Sequence, residues 1–161
     1  LTLSAAGVVS ANSLSSGAID GRALPASKRT SLGLYISAEK AYEAWRADPT
    51  SVKIIDVRTP EEFRAFGLPE MAAKAPLSAS PAEFVNRIRQ VAEPEDTILV
   101  ICRSGNRSAA AVEMLARAGF KRAYTVVDGY QGDRESNPAS PNYGKRTVNG
   151  WLNAGLPWTK G

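Results

Sequence analysis

The chain has 161 residues, 43% of them hydrophobic, a mean hydropathy of −0.22 and a formal net charge of +4 at pH 7. That is enough chain to bury the core of one domain, and no stretch approaches the ~20 consecutive apolar residues that would cross a membrane. One cysteine excludes an internal disulfide, and the absence of histidine removes the usual general base and the commonest metal ligand, so a Cys–His dyad is impossible. Part of the positive charge lies in Arg22, Lys28 and Arg29 against Asp20. Later charges such as Glu61, Glu62, Arg64, Glu113 and Arg117 are interspersed in sign, and no basic run is interleaved with aromatics. No nucleic-acid partner and no membrane partner is therefore expected.

Residues 1–31 are rich in Ser, Ala and Gly and show neither helical nor strand period, which reads as a flexible N-terminal segment. The small residues of Leu1–Ala11 are also compatible with the end of an export signal, a linker remnant being the alternative. From Leu32 a single globular domain, 32–161, is expected. Leu34–Ile36 predicts a short strand. Ser37 caps a helix to about Ala47, with Ala41, Tyr42 and Trp45 at helical spacing. Asp48-Pro49 breaks it, and Val52–Val57 reads as a buried strand. Thr59-Pro60-Glu61-Glu62 supplies a cap, a proline at the first helical position and acids in the first turn, so a short helix follows until Gly67.

Lys74–Leu77 predicts a weak strand, which Pro76 confines to an edge. Ser80-Pro81 opens a helix to about Val91 with Phe84, Val85 and Ile88 inward, and Thr97–Ile101 is the most convincing strand. After a loop at 102–107, a helix carries Ala111, Val112, Leu115 and Ala118 on one face, a Glu113–Arg117 pair on the other, and Gly119 as its stop. Ala123–Val127 is a further strand. Strands alternating with helices predict an α/β domain of three layers, a mainly parallel sheet of about five strands covered on both faces, with ligands beyond the carboxyl ends of the strands. Cys102, Asp56 and the turn at Asp128 fall at such ends.

Cysteine reacts as a thiolate, and a chain without histidine must stabilise that anion by other means. The loop after Cys102 offers two. A helix starting around Arg107 or Ser108 points its free N–H groups and positive end at the sulfur, and Arg103 and Arg107 add charge that does not titrate away. Gly105 lets the backbone curl into an anion nest. A cysteine at a strand end is also an ordinary core residue, but not usually one flanked by Arg at +1, Gly at +3, Arg at +5 and a helix start. Asp56 and Arg58 are expected to support the loops by hydrogen bonding, a catalytic role being the alternative, and Ser104 and Ser108 to act as loop donors and caps.

Cys102-Arg103-Ser104-Gly105-Asn106-Arg107-Ser108 after an apolar strand resembles the active-site loop of rhodanese sulfurtransferases. Ile54–Phe63, Val127–Gly132 and Gly150–Trp158 resemble three further motifs of that family, in order along the chain. The resemblance implies a sulfurtransferase of the single-domain bacterial type. It would take a sulfane sulfur from thiosulfate or another small anionic donor as a Cys102 persulfide and pass it to a thiophilic acceptor such as cyanide, a small thiol or a protein. It carries substrate binding over to Arg103, Ser104, Gly105, Asn106, Arg107 and Ser108, with no metal and no dissociable cofactor. Because that branch often bears export signals, the periplasm is the expected location, with the cytoplasm as the alternative.

Two departures stand out. The histidine usual after the glycine of the first motif is replaced in Gly67-Leu68-Pro69-Glu70-Met71, where a structural substitute is expected. An insert at 133–149 precedes Trp151 and is expected on the active-site side, as a lid or docking loop in which Tyr143, Lys145 or Arg146 shapes donor choice, or as a plain surface excursion. Two other functions stay open: a sulfur-binding or regulatory module of low turnover, and a phosphatase or arsenate reductase of the same fold. The latter enzymes use five residues between Cys and Arg to surround a tetrahedral oxyanion, whereas four separate Cys102 from Arg107.

Overall fold

In chain order the elements are β1 (Tyr35–Ile36), α1 (Ala38–Ala47), β2 (Val52–Asp56), α2 (Pro60–Phe66), β3 (Leu68–Pro69), β4 (Ala73–Lys74), α3 (Pro81–Arg89), β5 (Thr97–Ile101), α4 (Asn106–Arg117), β6 (Ala123–Val126), β7 (Asp133–Arg134), β8 (Arg146–Val148) and β9 (Trp158–Thr159). The computed structural model describes residues 19–161. Five strands pair in parallel in the order β1-β6-β5-β2-β4. The expected α/β fold with a parallel five-stranded sheet and helices on both faces is the observed one. None of the described helices is long and apolar enough to cross a membrane.

Alternation along the central strands builds the two cores. Ile55, Val57, Ile98, Val100 and Cys102 pack on one face with Phe84 and Ile88 of α3 and Val112 and Leu115 of α4. Val52, Ile54, Leu99 and Ile101 point the other way, against Ala41 and Ala44 of α1 and the buried Trp151. Every residue of β5 is buried, which is why that stretch reads as a continuous apolar run rather than an alternating one.

The edge strand β4 is shorter than the sequence suggests and starts one residue earlier. Ala75 and Leu77 still donate backbone N–H bonds to Asp56 and Val57, but Pro76 has no N–H and the regular ladder stops at Lys74. The Glu113–Arg117 pair is also replaced. Glu113 accepts instead from the backbone N–H and hydroxyl of Ser31, at 2.7 and 3.0 Å.

That contact belongs to a wider correction. Of the stretch 1–31 expected to be flexible, residues 1–18, including the export-signal reading of Leu1–Ala11, lie outside the described residues. Residues 19–31 form two 3₁₀ turns, Gly21–Ala23 and Ala26–Lys28, and dock on α4. Thr30 donates its N–H to the Tyr35 hydroxyl at 3.0 Å, and Ser27 donates to Asn106 Oδ1 at 3.1 Å. The segment lacks a hydrophobic period because polar groups, rather than an apolar face, hold it down.

Candidate active site

The parallel register β2–β5, ending at Asp56 opposite Ile101, brings Arg58 and Cys102 out together at the carboxyl ends of the strands. What happens there follows from helix capping. The first N–H groups of a helix have no partner within it. In α1, α2 and α3 the side chains of Ser37, Thr59 and Ser80 accept from them. The residue before α4 is Gly105, in a left-handed conformation with φ 103°, and it brings no capping side chain. The sulfur of Cys102 takes that place: Gly105 and Ser108 donate their backbone N–H groups to Sγ at 3.1 and 3.3 Å. Cys102 is 1% exposed, so these dipoles act with little screening by water. The Gly105 amide lies in the expected loop, and the Ser108 amide, in the first turn of α4, is the second donor.

The Ser108 hydroxyl faces away and bonds to the buried Thr125 hydroxyl on β6, rather than to the loop or a helix end. Arg103 and Asn106 are exposed at the rim, and Ser104 is half-buried. Arg107, expected to face the substrate, is paired within the protein. Its two terminal nitrogens are held by the two oxygens of Glu62 at 2.6 and 2.8 Å, a fork-to-fork pair. Its charge remains beside the site: Glu62 chiefly, with Cys102 and Asp56 adding, raises the Arg107 guanidinium above its ordinary value.

In the sequence Glu62 is legible only as an acid in the first turn of α2. It completes the capping box with Thr59, and the same carboxylate anchors Arg107. Arg107 holds Glu62 down at about 2 from an ordinary 4.5. Because the folded value lies below the unfolded one, the pair contributes stability above the ordinary carboxylate range and loses it as the pH falls towards 2. The pair is partly solvent-exposed, so its contribution is about 1 kcal/mol. In urea unfolding at pH 6 and pH 3, Glu62→Gln should therefore show an acid-induced loss of stability smaller than that of the native protein by about that amount.

Asp56 and Arg58 form a fully buried ion pair, 2.8 Å between Oδ2 and Nη2, with no exposure of either side chain. Burial pushes the Asp56 carboxyl up, while the side-chain and backbone N–H groups and the charge of Arg58 act against that push. Arg58 also donates to Gly67 O at 2.7 Å, and its guanidinium carbon lies 4.1 Å from the Tyr130 ring centroid. Here is the substitute for the absent histidine. The Gly67 turn is held by Arg58 and by the antiparallel pairing of β3 with β9.

The turn after β6, within the Val127–Gly132 motif, underpins the loop. Tyr130 and Gln131 donate backbone N–H bonds to the carbonyls of Cys102 and Arg103, at 2.8 and 3.0 Å. Gly129 has φ 66°, and a Cβ there would collide with the Arg103 carbonyl, so only glycine fits. Trp151 and Leu152 bind the same turn from behind, donating to the carbonyls of Gly129 and Tyr130. Asp128 completes the brace by accepting from the amides of Ala38 and Gly150 at 2.9 and 3.1 Å.

The insert forms the antiparallel pair β7–β8. Its base is fixed at the site: Arg146 donates to Gly132 O at 2.7 Å, one residue beyond the amide that binds Arg103. Burial and the charges of Arg103 and Arg134 push the Arg146 guanidinium below its ordinary value. Tyr143 and Lys145, by contrast, are exposed. Among the described residues no group of three or more Cys, Asp or Glu is arranged to hold a metal ion.

The model of the Rhodanese-like domain matches residues 37–135, more than half of the chain. The chain belongs to the rhodanese-like domain family. Among the relatives of this rhodanese-like domain is an uncharacterized protein of Rickettsia prowazekii, 31% identical over 111 residues that cover 65% of this chain and 80% of the relative. Thiosulfate sulfurtransferase 18 of Arabidopsis thaliana is 32% identical over 110 residues, 58% of this chain and 81% of that protein. A longer relative, Protein THYLAKOID RHODANESE-LIKE, chloroplastic, of Oryza sativa subsp. indica, is 30% identical over 133 residues, 77% of this chain but 25% of its own length. The crystal structure of Rv0390 from M. tuberculosis superposes with a TM-score of 0.65 at 29% identity, covering 78% of this chain and 96% of that one. Family and relatives together support a function of the sulfur-transfer type.

Proposed function

We propose that this rhodanese-like domain is a sulfurtransferase that moves a sulfane sulfur from thiosulfate, or a related anionic donor, to a thiophilic acceptor through a persulfide on Cys102. The carrying observation is the cradle: a buried sulfur facing two backbone N–H donors at a helix start, at 3.1 and 3.3 Å, with the Arg107 charge beside it. Donors of this kind favour negative charge on the sulfur they face. The Cys102 thiolate attacks the outer sulfur of thiosulfate; the new S–S bond forms as the old one breaks, and sulfite leaves with the bonding pair. The persulfide's terminal sulfur then carries the negative charge in the same nest. An acceptor nucleophile, such as cyanide or a thiolate, attacks that sulfur and regenerates the Cys102 thiolate. Both steps are attacks by anions, so neither transfers a proton and neither calls for a histidine.

Thiosulfate should release sulfite in the first step, and mass spectrometry should find one added sulfur on Cys102. Phosphate release from an aryl phosphate without sulfite release would favour the phosphatase reading instead. Arg103, exposed at the rim, suits the sulfonate end of the donor. Arg103→Met should raise the thiosulfate KM about fivefold, the value of one solvent-exposed charge contact, while changing kcat less than twofold; steady-state cyanide assays read both.

A further inference from the structure

Lys28 sits in the segment whose composition marks it as a tail, yet its side chain is only 13% exposed. Its ammonium donates to Val127 O at 2.9 Å and pairs with Asp133 Oδ1 at 3.2 Å. Three segments distant in sequence meet there: the N-terminal strap 19–31, the end of β6 and the base of the insert. The meeting point lies against Gly105. A Cβ on Gly105 would stand 2.5 Å from Val127 O and 3.3 Å from Lys28 Cδ, so the turn that aims its amide at Sγ is walled by the Val127 carbonyl and by the stem of the lysine bonded to it. Ser27 next to it holds Asn106, the first residue of α4.

We propose that Lys28 is a positioning residue for the thiol cradle: by tying the strap to Val127 O and Asp133, it holds the Gly105 turn so that its amide stays on Cys102. For sulfur transfer this rests on the function proposed above; for the reactivity of the thiol it does not. An amide that drifts off the sulfur weakens the stabilisation of the attacking anion without altering where the donor's sulfonate binds.

The test measures two rates in the full chain. Lys28→Met keeps the aliphatic stem and removes the ammonium. It should slow alkylation of Cys102 by iodoacetamide about tenfold and lower kcat for thiosulfate by a similar factor, with KM within about twofold. Lys28→Arg, which keeps a donor for Val127 O, should recover most of both rates. Cys102 is the sole cysteine, so labelling is unambiguous. Loosening of the fold would expose the thiol and speed its alkylation, so slowing separates positioning from general destabilisation. Alkylation of Lys28→Met at the native rate, or a raised thiosulfate KM with native kcat, overturns the proposal. A native protein that alkylates but takes up no sulfur overturns sulfur transfer, and the alkylation comparison still decides the role of Lys28.

Discussion

Cys102→Ser should remove sulfur uptake altogether, dropping thiosulfate turnover by about a thousandfold or more to the uncatalysed background. Oxygen in place of sulfur keeps an acceptor for the Gly105 and Ser108 amides, which donate at 3.1 and 3.3 Å in the native protein. The serine hydroxyl is not ionised at neutral pH and no base adjoins it, since the chain has no histidine and Arg107 is protonated and bound to Glu62. Removing the nucleophile should thus leave the fold nearly intact, with a urea midpoint corresponding to a change of about 1 kcal/mol or less. Intact-mass measurement after incubation with thiosulfate should show no added sulfur. Because there is one cysteine, sulfur gained by the variant could not be a persulfide, and retention of uptake would sink the mechanism.

The central layer and the cradle could be read early because their signals are local. The β5 run, the Ser37, Thr59 and Ser80 caps, and the Gly105 turn each declare themselves within a few residues. What stayed hidden is carried by polar groups that meet across long separations. Ser27 reaches Asn106 across 79 positions and Lys28 reaches Asp133 across 105, with no apolar period to announce either. Glu62 shows why a correct local reading can be incomplete. Its capping role is set by Thr59 three residues away, whereas its pairing with Arg107 spans 45 positions and depends on how α2 and α4 come together. The Glu113–Arg117 expectation failed for a related reason. An exposed pair one helical turn apart is worth a few tenths of a kcal/mol, too little to hold Glu113 against two donors from Ser31.

These long-range contacts converge on the loop. From below, the 129–131 turn holds the first two carbonyls, and Trp151 and Leu152 hold that turn. From the side, Glu62 fixes Arg107 and Lys28 walls the Gly105 turn. The Gly150–Trp158 motif thus acts as a brace, since Trp151 is fully buried and its backbone reaches the site through one intermediate.

The largest expected loss of stability is at Arg58. Arg58→Met removes the cation from a pair with no solvent exposure on either side. The Arg58 backbone N–H, which donates to Asp56 Oδ1 at 3.0 Å, remains, but the three bonds from Nε and Nη2 to the carboxylate go. Gly67 O loses its donor and the Tyr130 face loses its cation. Leaving a carboxylate buried without its partner costs about 3–5 kcal/mol, which urea unfolding near neutral pH should report directly. The pH trend carries the cause. Burial already pushes Asp56 up, and without Arg58 it loses the side-chain hydrogen bonds and adjacent charge that oppose that push. The folded variant then holds a proton that the unfolded chain has released, so its stability should fall as the pH rises from 5 to 8. Asp56→Asn in the same chain removes the charge and should recover part of the loss, flattening that trend. A loss under about 1 kcal/mol for Arg58→Met, with no dependence on pH, would mean that water reaches Asp56 and that the Gly67 turn is held by β3 and β9 alone.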